Sequence, residues 1–201
     1  MKKHLSMPLI LASASDRRRE LLEQAGYLFQ IISPEDAEDA IQIAPSIHAL
    51  AMFKAREKVY RAARMMPPMA PACILGADTI VSLGNEVFGK PLDRKDALRI
   101  LSALSGTRHQ VITGLCLGYI SVVGQQPEIQ MEAETTWVTM REIMATDREA
   151  YVASGEADGK AGAYAIQETG DQFVTRIEGS FSNVVGLPLE LLERLLGNRL
   201  N

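Results

Sequence analysis

The pattern of apolar and polar positions along the chain predicts strands and helices in alternation. Short apolar or alternating runs predict strands at residues 9–12, 29–32, 74–83, 87–88, 110–122, 135–141, 164–167 and 173–177. Apolar residues at helical spacing predict helices at residues 17–25, 46–64, 94–104, 147–154 and 187–196. Because helices separate many of the strands but a hairpin also occurs, we expect an α/β fold with a mixed sheet.

Turn and capping residues set several of the expected boundaries. Gly84 and Asn85 predict a two-residue hairpin turn between two strands. Asp93 is expected to cap the helix that follows it, and Asp16 is expected to help cap the first helix. Pro67 ends the long second helix because proline cannot continue the hydrogen-bond ladder.

The composition favours one globular domain over 1–201 and excludes several other classes of protein. Of 201 residues, 47% are hydrophobic and 23% are charged, which is enough to build a core without metals or disulfides. The formal charge is −4 and aromatic residues make up only 5%. Broad contact with nucleic acid needs a basic surface or stacking aromatics, so we expect no nucleic-acid partner.

The N-terminal segment and the cysteines both favour a cytoplasmic protein. Lys2 and Lys3 precede an apolar stretch that imitates a signal peptide, but Pro8 interrupts it and it is too short to span a membrane. We interpret it as a strand that leads into the first candidate site, and we expect no membrane association. Cys73 and Cys116 lie far apart and are expected to be reduced apolar residues within strands.

The segment after the first predicted strand has the features of an anion site. Ser13 lies where that strand turns into a helix, and Arg17, Arg18 and Arg19 follow in the first helical turn. Backbone N–H groups and the helix dipole favour an anion there. Three consecutive arginines point in different directions, so we expect one or two of them to bind phosphate and at least one to lie on the surface.

Asp78 is the sharpest single feature of the sequence. It interrupts an otherwise apolar strand, where a buried carboxylate is costly unless it is paired, hydrogen-bonded or bound to a metal. A catalytic or metal-binding role is the favoured interpretation, and a structurally satisfied aspartate is the alternative. Lys54 lies on the inward stripe of the second helix, where it either extends to the edge or points into the site.

A tempting phosphate-binding motif does not hold. The run from Gly84 to Lys90 matches the start of a P-loop, but Pro91 occupies the position that needs a hydroxyl group. Lys90 can still reach a phosphate from the loop after the hairpin. The three histidines show no metal-ligand spacing, so zinc is not expected, whereas Mg²⁺ or Mn²⁺ bound by carboxylates and substrate phosphates is compatible with the sequence.

Taken together, these segments resemble the Maf family of nucleoside triphosphate pyrophosphatases. The matching segments occur in family order over nearly the whole chain: LASASDRRRELL at 11–22, KAREK at 54–58, GADT at 76–79, GKP at 89–91, LSG at 104–106, HQV at 109–111, KAGAYAIQ at 160–167 and NVVGLP at 183–188. The resemblance implies an elongated mixed sheet in two lobes with a cleft between them. It also implies cleavage of a nucleoside triphosphate between its α and β phosphates, a divalent cation, Mg²⁺ or Mn²⁺, and a homodimer.

The resemblance also assigns roles to individual residues. Asp78 matches the proton acceptor and, with Glu38, a metal site, although Glu35 and Asp36 are close enough to leave that register open. The positions that match phosphate contacts are Ser13, Arg17, Lys54 and Lys90. Those that match base selectivity in the branch that prefers dTTP and UTP are Arg18, Thr79 and Gln167.

The chain departs from the family pattern at a few positions. Asp16 replaces the usual proline, Gly159 replaces an aspartate, and Ala165 and Glu168 replace glycines. Three of these changes fall near the expected base pocket, so the preferred base is less fixed by the sequence than the reaction. A pyrophosphatase for purine or modified-purine triphosphates and a nucleotide-sensing regulator of septation are the alternatives.

Overall fold

A computed structural model of the chain describes residues 3, 5–34, 43–68, 70–167 and 169–199. The strands are β1 (Leu9–Leu11), β2 (Phe29–Ile31), β3 (Ala72–Leu83), β4 (Glu86–Phe88), β5 (Arg108–Ile120), β6 (Glu128–Met140) and β7 (Val174–Glu178). The helices are α1 (Asp16–Gln24), α2 (Ile47–Met65), α3 (Arg94–Leu104), α4 (Ala145–Ser154), α5 (Phe181–Val185) and α6 (Leu189–Leu196).

The strands form one mixed sheet in the order β2-β1-β3-β5-β6-β7, with β4 paired to β3. Strand β1 runs parallel to both neighbours, so that Leu9 pairs with Phe29 on one side and with Cys73 on the other. Strand β4 is antiparallel to β3, and β7 is antiparallel to β6. The expected α/β fold with a mixed sheet is confirmed.

The chain divides into two compact units, each assembled from separate stretches. Unit 1 comprises Met1–Asp78, Thr113–Glu134 and Gly186–Asn201, and unit 2 comprises Thr79–Ile112 and Thr135–Val185. Strands β3, β5 and β6 each begin in one unit and end in the other. Neither unit is therefore a continuous segment of the chain.

In unit 1, helix α2 approaches β3 and β5 so closely that the strands need glycine at the contacts. A Cβ atom on Gly76 would lie 2.3 Å from the carbonyl oxygen of Ala55, and one on Gly114 would lie 2.4 Å from the carbonyl carbon of Ala51. Both contacts are with helix backbone, which cannot rotate away. The apolar core around this contact consists of Ile10, Ala12, Ala55, Val59, Ala62, Ala72, Ile74, Cys116 and Ile120. The position of α2 against β3 is thus set by backbone packing.

In unit 2, the predicted hairpin and helix cap are both confirmed. Residues 84 and 85 turn the chain from β3 into β4, and the Asp93 carboxylate accepts a hydrogen bond from the Asp96 N–H at 2.7 Å. Helix α3 buries the face that its spacing predicts, namely Ala97, Ile100, Leu101 and Leu104. These residues join a core that also contains Phe88, Val111, Val138, Met140, Tyr151 and Phe173.

The prediction of a strand at residues 164–167 is wrong, because the structure has no strand there. Gly162 and Ala163, directly before this segment, take positive φ angles of 75° and 58°, and residues 166 and 167 form a turn. The Tyr164 hydroxyl lies 2.9 Å from Nε2 of His109, so this segment is fixed by a side chain and not by a strand ladder.

Three other expectations also need correction. Ser15, and not Asp16, is the N-cap of α1, because Asp16 lies in the first helical turn and pairs with Arg19 at 2.9 Å. Strand β6 begins at Glu128, seven residues before the predicted start. Helix α5 lies within a stretch for which no element is predicted.

The cysteines agree with their predicted role. Cys73 in β3 and Cys116 in β5 are both buried and free. Burial raises the pKa of each thiol to about 12, so both remain protonated and unreactive near neutral pH. None of the described helices is both long enough and apolar enough to cross a membrane.

Candidate active site

The turn between β1 and α1 brings two predicted site residues together in unit 1. The Ser13 hydroxyl oxygen accepts hydrogen bonds from the Ser15 N–H and from Nη1 of Arg18, both at 3.2 Å. Nε of Arg18 donates to the carbonyl oxygen of Gly186 at 2.9 Å, and the Ser13 and Arg18 side chains are both buried. A strand–helix turn with a hydroxyl and a guanidinium at the helix start can bind an anion.

The three consecutive arginines differ in their surroundings, as the sequence predicts. Arg18 is buried, Arg17 is half-buried, and Arg19 forms surface ion pairs with Asp16 at 2.9 Å and with Glu23 at 3.9 Å. Arg19 is therefore the surface member of the group. Arg17 and Arg18 remain the two arginines for which a role in the site is predicted.

Asp78 lies at the boundary of unit 1 and is only 8% exposed. Its Oδ1 atom is 2.6 Å from Nζ of Lys58, and the same ammonium donates to the carbonyl oxygen of Ala77 at 3.3 Å. Within the part of the chain that the structure describes, no hydrogen-bond donor reaches Oδ2 of Asp78. The carboxylate is thus bound through one oxygen, and the other remains available for chemistry.

Helix α2 places a second lysine one turn before Lys58. Lys54 and Lys58 are four residues apart and therefore lie on the same side of the helix. Lys54 is half-buried, and among the described residues no carboxylate lies within ion-pair distance of it. The charge of Lys58 is balanced by Asp78, whereas no described carboxylate pairs with Lys54, which suits Lys54 to an anionic ligand.

The remaining predicted residues belong to unit 2. Thr79 follows Asp78 directly and is half-buried, whereas Lys90 lies exposed in the bend after β4. The carbonyl oxygen of Gly89 accepts a hydrogen bond from the Gly162 N–H at 3.1 Å. The loop of Lys90 is thereby joined to the loop that ends in Gln167, which is exposed in a turn.

Of the residues predicted to bind a divalent cation, the structure describes only Asp78. Glu38 and its neighbours Glu35 and Asp36 lie outside the described residues, and within these no three His, Cys, Asp or Glu side chains form a metal-binding group. Oδ2 of Asp78 offers one carboxylate oxygen. Mg²⁺ commonly takes one or two carboxylates and completes its coordination with substrate phosphates and water, so this donor fits such an ion.

Two residues of the site were missed by the sequence reasoning. Lys58 carries a signal that could have been used, because it follows Lys54 at the spacing that places two side chains on one helix face. Gly186 contributes only a carbonyl oxygen, and no side-chain pattern marks a backbone acceptor that lies 168 positions from Arg18.

The molecule combines a mixed α/β fold, a basic strand–helix turn and a buried aspartate paired with a lysine. This combination is compatible with an enzyme that binds an anionic ligand. The family model described as Maf-like protein matches residues 8–199. The chain belongs to the Maf family.

Curated relatives match over nearly the whole chain. A protein named dTTP/UTP pyrophosphatase from Ruminiclostridium cellulolyticum is 43% identical over 190 residues, which cover 94% of each chain. A protein of the same name from Cupriavidus metallidurans is 42% identical and covers 90% of this chain and 91% of its own.

The solved structures that match are more distant. The Ham1 protein of Staphylococcus aureus is 14% identical with a TM-score of 0.42, covering 94% of this chain and 97% of its own. A HAM1 protein from Coxiella burnetii is also 14% identical, with a TM-score of 0.44 and coverage of 94% and 98%.

Proposed function

We propose that this protein is a nucleoside triphosphate pyrophosphatase that acts on dTTP and UTP as a single functional domain. Water would cleave the bond between the α and β phosphates and give a nucleoside monophosphate and pyrophosphate. The relatives that share 42–43% of their residues with this chain carry that activity in their names. The observation that carries the proposal is Asp78, a nearly buried carboxylate with one oxygen paired and the other without a hydrogen-bond donor among the described residues.

Asp78 has the chemistry of a proton acceptor. In the proposed reaction Oδ2 accepts a proton from the attacking water, whose oxygen forms the new bond to phosphorus while pyrophosphate leaves. Burial strengthens the electrostatic interactions around the carboxylate, and the Lys58 ammonium keeps Oδ1 fixed.

The cationic residues supply the second requirement of this reaction. Phosphoryl transfer spreads negative charge over non-bridging oxygens, and catalysis depends on neutralising and positioning them. In our proposal Arg17, Lys54 and Lys90 contact the phosphates together with the Ser13 hydroxyl. The absence of a carboxylate beside Lys54 among the described residues supports its part in this set, because its charge is not already balanced there.

We propose Mg²⁺ or Mn²⁺ as the cofactor. When bound, such an ion neutralises phosphate charge and lowers the pKa of coordinated water. Asp78 and Glu38 are the ligands that we propose for this ion. A carboxylate that held the ion through Oδ2 would activate the water through the ion, as the alternative to accepting its proton directly.

We propose that Arg18, Thr79 and Gln167 select the base of the nucleotide. The Gln167 amide can donate and accept at once, which suits the O4 and N3–H edge of thymine or uracil. Cytosine presents the opposite pattern at these positions. The exposed position of Gln167 in a turn leaves its side chain accessible to a ligand.

The test is a substrate screen with purified protein and Mg²⁺ or Mn²⁺. Pyrophosphate and orthophosphate are assayed separately for dTTP, UTP, CTP, ATP and GTP. We expect pyrophosphate release with dTTP and UTP preferred, and we expect Asp78→Asn to lower kcat by about 10²- to 10⁴-fold, the range for loss of a general base.

The matched control is Asp147→Asn, which removes a surface carboxylate that pairs with Arg141 at 3.1 Å. It should retain wild-type turnover. Release of orthophosphate instead of pyrophosphate, or normal turnover by a folded Asp78→Asn protein, would contradict the proposed reaction. A preference for a purine triphosphate would contradict only the choice of base.

A further inference from the structure

Lys58 binds the candidate catalytic carboxylate in a way that distinguishes its two oxygens. Its ammonium contacts Oδ1 of Asp78 at 2.6 Å and the carbonyl oxygen of Ala77 at 3.3 Å. The second contact anchors the ammonium to the backbone of the same strand. The Lys58 and Asp78 side chains are 12% and 11% exposed, so water screens the pair only weakly.

The packing of α2 makes this contact a fixed one. Gly76 lies two residues before Asp78 in β3 and therefore faces the same side of the sheet. A Cβ atom there would lie 2.3 Å from the carbonyl oxygen of Ala55 and 2.9 Å from the side chain of Val59. In the helix, Lys58 lies between Ala55 and Val59, the two residues that contact Gly76. The packing of the helix against Gly76 therefore places the Lys58 side chain next to Asp78.

We propose that Lys58 is a positioning residue for the reaction: it holds Asp78 by Oδ1 and keeps Oδ2 directed at the attacking water. This inference rests on the proposed function. It assigns a role to Lys58, for which the resemblance to the family implies none. Lys58 acts through Asp78 and does not itself contact the substrate.

Lys54 provides the contrast that makes the proposal testable. It lies on the same helix face one turn earlier, and no described carboxylate pairs with it. Lys54 therefore acts on the substrate phosphates, whereas Lys58 acts on the aspartate. The two lysines must then respond differently when Asp78 is removed.

The experiment is a double-mutant cycle measured by pyrophosphate release from dTTP. Lys58→Met in the wild-type background should lower kcat by about 10- to 100-fold, the usual cost of losing a residue that orients a functional ligand, with KM within about threefold. In the Asp78→Asn background the same substitution should change the residual kcat by less than about twofold, because its partner is already gone. Lys54→Met should raise KM in both backgrounds.

Two further variants guard against loss of the fold. Lys58→Arg keeps the positive charge and should retain kcat within about tenfold of the wild type. The double variant Lys58→Met/Asp78→Asn should melt at a higher temperature than Lys58→Met, because it lacks an unpaired buried carboxylate. This comparison reports on the ion pair without any assay of activity.

The outcomes separate this inference from the proposed function. A wild-type protein that releases no pyrophosphate from any nucleotide refutes the function, and the positioning role with it. An active wild type in which Lys58→Met lowers kcat equally in both backgrounds shows that Lys58 acts on the substrate and overturns the positioning role alone. Equal losses for Lys58→Arg and Lys58→Met, or a double variant no more stable than Lys58→Met, overturn it as well.

Discussion

Substituting Gly76 by alanine should separate helix α2 from strand β3 at the point where they carry Lys58 and Asp78. The added Cβ would lie 2.3 Å from the Ala55 carbonyl oxygen, whereas an ordinary contact begins at 3.4 Å. Relief of this clash requires a movement of about 1.1 Å, and the obstructing atom is helix backbone that cannot change rotamer. Overpacking of this kind costs about 1–3 kcal/mol, and we expect a value near 3.

The same movement should impair activity beyond the loss of stability. An added 1.1 Å would take the 2.6 Å contact between Nζ of Lys58 and Oδ1 of Asp78 out of hydrogen-bond range. A misplacement of about 1 Å in a catalytic group can cost about 10²-fold in rate. We therefore expect Gly76→Ala to lower kcat for dTTP by about 10- to 100-fold and to lower Tm by about 6–12 °C.

The matched control is Gly118→Ala, which also adds a Cβ against α2. There the closest atom, at 2.4 Å, is a side-chain methyl group of Val59, so the helix backbone need not move. We expect lower stability but kcat within about threefold of the wild type, measured well below the melting temperature of each variant. Equal losses of kcat in the two variants, or an unaltered Gly76→Ala protein, would refute the reasoning.

Two further predictions concern unit 2. Burial lowers the pKa of His109 to about 4 from 6.5, so the unfolded chain binds a proton between these values while the folded protein does not. The free energy of unfolding should therefore fall by about 3 kcal/mol as the pH drops from 6.5 to 4. Urea titrations over this pH range should show a smaller fall for His109→Gln than for the wild type. An equal fall in both proteins would exclude His109 as its source. Gln167→Ala should reduce the ratio of kcat/KM for dTTP over CTP by about tenfold, and an unchanged ratio would transfer the selection to Arg18 or Thr79.

Much of the fold could be predicted because local signals and tertiary structure agree. Helix α2 shows the apolar spacing and the proline stop that a helix requires, and it forms from Ile47 to Met65, with Ser46 as its N-cap instead of its first residue. Ser46 accepts a hydrogen bond from the Ala49 N–H at 3.1 Å. The apolar run that Asp78 interrupts forms a buried strand, as its composition indicates.

The errors arise where tertiary contacts override local preference. Residues 164–167 look like a strand, but the chain there follows two residues with positive φ and is held by the contact of Tyr164 with His109. The first half of β6 alternates apolar residues with three glutamates and a glutamine. Because glutamate has a low strand propensity, the predicted strand does not include this alternation. Helix α5 has only five residues, little more than one turn, so an apolar period cannot repeat within it.

The charged side chains of the candidate site could be predicted from the sequence, but the contacts between them could not. A carboxylate in an apolar strand and arginines at a helix start are visible without a structure. The pairing of Lys58 with Asp78 depends on how closely α2 packs against β3, and that distance is set by Gly76, whose role is invisible in a residue pattern.

The hydrogen bond from Arg18 to Gly186 can form only late in the synthesis of the protein. The two residues are 168 positions apart, and the final stretch of unit 1 begins at Gly186. A ribosome therefore completes every residue of unit 2 before it makes the acceptor of Arg18, although unit 1 is begun first. Because domains fold as units while the chain emerges, the nascent protein must hold the basic turn of Ser13 and Arg18 unfinished until this last stretch is released.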